Sequence, residues 1–145
     1  MCVNQSAGPF DITVFTAPTP ARIGPVDVSV LVVDRAGQLP LLDADVQVGL
    51  RPAAAPALER SATATHAGAT NKLLYGVALD VPSAGSWTLE ARVRAGERAA
   101  TVSCVLEVEA PLGPLVAYWP YLGLPAVAIG VFALQQWIRR SRAPA

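Results

Sequence analysis

Trp87-Thr88-Leu89-Glu90-Ala91-Arg92-Val93-Arg94 decides the fold class. Its apolar residues, at 87, 89, 91 and 93, alternate with polar or charged ones at 88, 90, 92 and 94. A period of two sets the two kinds of side chain on opposite faces of an extended chain, so the stretch reads as a strand with one buried and one wet face. The same period recurs on both sides of it. Phe10, Ile12 and Val14 oppose Asp11 and Thr13, and Val26, Val28, Val30 and Val32 oppose Asp27 and Ser29. Val46, Val48 and Leu50 oppose Gln47 and Gly49, and Tyr75, Val77 and Leu79 form a further set. Val102, Cys104, Leu106 and Val108 are set against Ser103, Glu107 and Glu109. A weaker alternation of Ser or Thr with Ala over 61–66 reads as an edge strand.

Turn chemistry separates these runs. Pro18-Thr19-Pro20 and Ile23-Gly24-Pro25 break the first gap, and Arg35-Ala36-Gly37-Gln38 opens the second. Pro82-Ser83-Ala84-Gly85 precedes the Trp87 strand, and Ala95-Gly96-Glu97-Arg98 closes a hairpin after it. About seven short antiparallel strands predict an all-β, immunoglobulin-like sandwich, with a small barrel as the alternative. The two longest irregular stretches, 51–60 and 67–72, are candidate binding loops or plain crossovers.

The chain has 145 residues, and its formal net charge of zero is split along its length. Residues 1–113 carry eight Lys and Arg against eleven Asp and Glu, whereas the tail after 138 carries Arg139, Arg140 and Arg142 and no acid. An acidic head argues against nucleic acid as a partner, because the phosphate backbone selects a basic face. Thirteen Pro and eleven Gly suit strands and turns better than helices.

Residues 115–138 contain no charge, and an apolar helix of about 20 residues crosses a bilayer. The stretch therefore predicts one C-terminal transmembrane helix. Tyr118, Trp119 and Tyr121 mark one interface, and Trp137 with Arg139 and Arg140 marks the other. Pro120 and Pro125 lack the N–H of a mid-helix residue, so the regular span is expected over 120–138, after an interfacial linker at 111–119 and before a short basic tail at 139–145. The arginines place that tail in the cytoplasm and the head, 1–110, outside a cytoplasmic membrane. Met1-Cys2-Val3-Asn4-Gln5 has no secretory signal, which conflicts with an exported head: either Met1 lies downstream of a lost signal, the preferred reading, or the C-terminal anchor translocates a short N-terminus. Gly123, Ala126 and Gly130 are small residues, and the latter two lie four apart on one helix face, a candidate helix-packing contact.

Several motifs are similar to those of bacterial YtkA-like and FixH-like domains. Phe10-Asp11-Ile12-Thr13-Val14, Pro18-Thr19-Pro20 and Gly24-Pro25-Val26-Asp27-Val28 resemble the opening of such domains, and Asp43-Ala44-Asp45-Val46-Gln47-Val48 resembles their next strand. Pro82-Ser83-Ala84-Gly85-Ser86-Trp87 resembles their Pro-x-x-Gly-x-aromatic corner. The resemblance covers roughly 10–109 and implies an extracytoplasmic sandwich near membrane cation-handling or respiratory proteins. FixH-like proteins carry their anchor before the domain, whereas here the apolar segment follows it.

Few residues bear chemistry. Cys2 and Cys104 allow a disulfide, a pair of free thiols, or a lipid-bearing Cys2. His66 is the single His, and neither a Cys-x-x-Cys nor a His-x-Met pair accompanies it, so no metal site is read. Asp34, Asp43 and Asp45 are acidic but lack the Asp-x-Asp-x-Asp-Gly spacing of a Ca²⁺ loop, and read as solvated turns. Arg92 and Arg94 share the outer face of one strand and are expected to pair with Glu90, Glu107 or Glu109. No base stands ready beside a Ser or Cys, and no Gly-rich loop cradles phosphate. The sequence therefore predicts a non-enzymatic accessory or assembly subunit without a cofactor, whose partners are other membrane subunits and the lipid bilayer. The alternative is a copper-, cation- or ligand-handling domain near a transporter or oxidase.

Overall fold

The computed structural model describes residues 1–54, 59–110 and 114–141; in the last segment, described side chains are those of 118, 121, 123–125, 127–135 and 137. Two compact units emerge, Met1–Ala110 and Pro111–Ala145. The first unit holds ten strands: β1 (Val3–Ala7), β2 (Phe10–Ala17), β3 (Ala21–Arg22), β4 (Gly24–Asp34), β5 (Leu39–Pro40), β6 (Asp45–Pro52), β7 (Arg60–Ala64), β8 (Tyr75–Val81), β9 (Gly85–Ala95) and β10 (Arg98–Glu109). They make two five-stranded sheets. One runs β1-β2-β4-β5, with β8 also paired to β4, and the other runs β3-β10-β9-β6-β7. All pairings are antiparallel except the short parallel contact of β3 with β10. The unit is an immunoglobulin-like β-sandwich.

Seven strands arise where the sequence alternates. Register brings like residues together across each sheet. Val14 faces Val30 and Ile12 faces Val32 between β2 and β4, and Val48 lies between Ala62 of β7 and Ala91 of β9. The β-branched side chains fit these pleated surfaces. Val26, Val28, Val30 and Val32 of β4 are fully buried, as are Phe10, Ile12, Val46, Val48 and Leu89. All belong to one apolar cluster. Trp87 is buried in it and donates its indole N–H to the Ser83 carbonyl at 3.1 Å, which satisfies its one polar atom. β1 adds a strand that alternation does not reveal, because Val3-Asn4-Gln5-Ser6-Ala7 has an exposed polar centre. β3 and β5 are two residues each, too short for any period.

The two margins of the sandwich are closed differently. At one, Thr65 bridges Gly76, joining the end of β7 to β8. A Cβ at Gly76 would lie 2.6 Å from the Gly68 carbonyl oxygen, so only glycine permits this approach. At the other, Cys2 and Cys104 form a disulfide with Cα atoms 6.1 Å apart, linking the residue before β1 to β10.

The second unit is one helix, α1 (Pro114–Ser141), of 28 residues. It starts at Pro114 rather than near Pro120, consistent with proline's suitability for the first helical turn, and Pro120 and Pro125 lie inside it. The expected membrane anchor requires correction. Among the described residues, no helix is long and apolar enough to cross a membrane. The transmembrane helix at 120–138 is thus not retained, nor is the cytoplasmic-membrane localisation that rested on it. Trp119, Ala126, Arg139 and Arg140 have side chains outside the described residues.

The disulfide closes a long loop between residues 102 apart in sequence. Replacing both cysteines by Ser is expected to lower the unfolding free energy by about 4–5 kcal/mol on the chain-entropy model, measured by denaturant titration under oxidising conditions.

Candidate functional site

Strand register gathers five connections at one end of the sandwich. Phe10 pairs with Asp34, and Asp34 with Leu39, so the β1–β2, β4–β5 and β5–β6 turns lie together. Asp45 pairs with Arg94, and Arg94 with Ala99, which brings the β9–β10 hairpin turn to the same end. The 65–74 connection joins them through the side chains described next. This end carries most of the described inter-loop side-chain chemistry.

Two clusters organise it. In the first, Arg98 at the start of β10 donates to Asp34 at the end of β4, with 2.7 Å between Nη1 and Oδ2. The Arg98 guanidinium also lies 5.2 Å from the centre of the Phe10 ring, a cation–π contact. Asp34 accepts in addition from the Ala36 N–H at 3.0 Å. Arg98 foremost, and then that N–H, hold the Asp34 carboxyl below its usual range. Beside this cluster Arg35 donates to the Gly8 carbonyl and lies 3.6 Å from Asp11.

In the second cluster, Tyr75 is buried at the start of β8, and its hydroxyl donates to the Leu41 carbonyl at 3.0 Å while accepting from the Ala44 N–H at 2.9 Å. Burial pushes its phenol up, the Ala44 N–H opposes, and the charge of Asp43 adds to the rise. His66 packs against Tyr75 with ring centres 4.1 Å apart and the rings tilted by 39°. Its Nδ1 is 2.9 Å from the Leu74 carbonyl oxygen, and its Nε2 is 3.0 Å from that of Leu42. Lys72 donates to the His66 and Ala69 carbonyls at 2.9 and 2.8 Å and closes the turn beneath. A cavity of about 250 Å³ opens beside this cluster, between Leu42, Asp45, Thr63, Thr65, His66 and Tyr75. Leu39, Leu42 and Leu73 stand exposed nearby.

The residues singled out from sequence are thus distributed by the fold. Asp34, Asp43 and Asp45 do not converge: Asp34 is taken by Arg98, Asp43 acts on Tyr75, and Asp45 borders two depressions. Among the described residues, no three His, Cys, Asp or Glu side chains are grouped to hold a metal ion. Arg92 pairs with Glu90 on its own strand and with Glu59 at 3.8 Å, while Arg51 reaches Glu90. Arg94 borders a shallow depression of about 250 Å³ with Asp45, Gln47, Arg92 and Thr101. Gly123 and Gly130 have nothing within 4 Å of a built Cβ, and Tyr118, Tyr121 and Trp137 are exposed. The Tyr75–His66 pair was not read from sequence. The signal was a tyrosine in an inward position, whose hydroxyl must find a partner when buried.

No family model matches the chain, and no curated protein matches it. The resemblance to YtkA-like and FixH-like domains rests on the sequence motifs alone. Among solved structures, the solution structure of the PKD domain of the human VPS10 domain-containing receptor SorCS2 aligns at a TM-score of 0.40 and 12% identity, covering 78% of this chain and 82% of that one. A likeness of that size carries no argument about activity.

Tyr75→Phe strands the Ala44 N–H and the Leu41 carbonyl and should cost about 1–3 kcal/mol by denaturant titration. The Asp34 carboxyl has a folded-state value below its unfolded one. Its contribution is present above the unfolded value, near 4, and is lost as pH falls through the folded value. Between pH 6 and pH 3 the wild type should therefore lose more stability than Arg98→Gln, read from denaturation midpoints.

Proposed function

We propose that this protein is a non-catalytic accessory subunit that contributes a β-sandwich to a larger protein assembly, with α1 as the element that a partner subunit covers. One observation carries this reading. The described large apolar side chains of α1, among them Tyr121, Leu124, Val127, Ile129, Phe132 and Trp137, are all exposed within this chain. At about 100° per residue these positions step round the whole circumference and form no single stripe. A helix that is apolar all round needs cover on every side. Apolar helices of a partner subunit provide such cover.

The head supports the same reading by what its reactive groups do. Both ring nitrogens of His66 face backbone carbonyls, and Asp34 is committed to Arg98. Arg92 is committed to Glu90 and Glu59. These are uses that hold loops and strands.

The test uses the full chain, purified without detergent and followed by analytical ultracentrifugation beside a variant with Leu124, Val127 and Phe132 changed to Ser. The wild type should sediment as an assembly with itself or a co-purifying subunit, and the variant should dissociate. A dispersed wild-type monomer overturns the proposal. So does flotation of the wild type with protein-free lipid vesicles, which assigns the cover to lipid.

A further inference from the structure

We propose that His66 is a pH-operated clasp that ties the 41–44 connection to the 66–74 connection when its imidazole is doubly protonated. The argument is geometric. Nδ1 is 2.9 Å from the Leu74 carbonyl oxygen and Nε2 is 3.0 Å from the Leu42 carbonyl oxygen. A carbonyl oxygen only accepts. A neutral imidazole carries one N–H and one lone pair, so in either tautomer one nitrogen sets its lone pair against an oxygen at hydrogen-bonding distance. The imidazolium has two N–H groups and satisfies both oxygens with charge-assisted bonds. Protonation therefore turns one bond and one repulsion into two bonds.

The ring is held where this matters. It packs tilted against Tyr75 at 4.1 Å between centres, and the Tyr75 hydroxyl is itself pinned between the Ala44 N–H and the Leu41 carbonyl. Turning the imidazole away from either oxygen would break this contact. The charged and titratable groups around it come from every neighbouring element. Asp43 lies on the 41–44 connection, close enough to act on Tyr75. Asp45, at the start of β6, borders the same cavity as His66. Lys72 lies on the 66–74 connection with its ammonium on the His66 carbonyl, away from the ring nitrogens. β8 contributes Tyr75, and β7 contributes Thr63 and Ala64, which carry no charge.

The clasp controls what the loop end presents. Leu42, whose carbonyl is one of the two oxygens, is about half exposed, as is Leu73, the neighbour of the other. With the imidazolium both bonds hold the two leucines in place. With the neutral imidazole one bond remains and they are held less firmly.

Amide hydrogen exchange of the full chain at pH 5 and pH 8, corrected for intrinsic rates, tests this. In the wild type, amides of residues 41–44 and 66–74 should be roughly tenfold more protected at pH 5, the factor expected when a charged bond replaces a neutral one. In His66→Gln the protection should be equal at both values. Equal protection in the wild type overturns the clasp. A dependence that persists in His66→Gln also overturns it and passes the effect to Asp43 or Asp45. If His66→Gln fails to fold, ¹⁵N spectra of the wild-type imidazole decide. Two slowly exchanging ring N–H signals at pH 5 support the clasp, and one or none overturns it.

Discussion

The sandwich depends on one apolar layer, filled from both sheets by side chains that recur at every second position. Four fully buried valines of β4 supply one side, and Trp87, Leu89, Ala91 and Val93 of β9 supply the other. These two strands have neighbours along most of their lengths, β2 and β8 beside β4 and β6 and β10 beside β9. A residue's shift in register on either strand would turn its apolar set outward. Burial in this layer thus sets the register of the other strands, and the polar residues of the molecule are left to the outer faces and the ends.

The polar groups then have a different task. No charged or polar residue is fully buried among those described, and no buried side-chain polar atom lacks a partner. Directional contacts between connections gather at the loop end. There Tyr75, His66 and Arg98 each reach across connections to backbone carbonyls or a carboxylate. An apolar layer has little to say about loop positions, because it packs by area and not by direction. Directional bonds do that work here. Two margins add constraints of other kinds: a covalent link between Cys2 and Cys104, and a backbone approach at Gly68 and Gly76 too close for any side chain.

The division between what was legible in the sequence and what was not follows these same lines. The strands that line the layer, from Phe10 to Val108, announce themselves by period two, because burial on one face is a local, repeating demand. β1 does not, since its middle residues face solvent and it is kept in place by pairing with β2 and by the neighbouring disulfide. The Asp34–Arg98 pair spans 64 positions in sequence, and no spacing rule reports a contact of that range. The two-carbonyl setting of His66 is equally non-local: it needs Leu42 and Leu74 brought together by the fold. The C-terminal helix misled for a related reason. A run without charge fixes apolarity and suggests helix, but not what covers it, and prolines that suggested a later start are accommodated inside α1.

Two units of opposite physical kind therefore share this chain. The sandwich fills its apolar layer internally and leaves a largely polar surface, with Leu39, Leu42 and Leu73 exposed at one end and Phe15, Ile23 and Val105 exposed elsewhere. The helix satisfies its backbone internally, and its described large apolar side chains are exposed. A helix of that composition gains little by standing alone in water, since most helical stability in proteins comes from packing an apolar face. Under the proposed function that packing comes from another molecule, whereas the apolar layer of the sandwich is filled within residues 1–110. Loss of that packing would act on the helix, and loss of the disulfide acts on the sandwich.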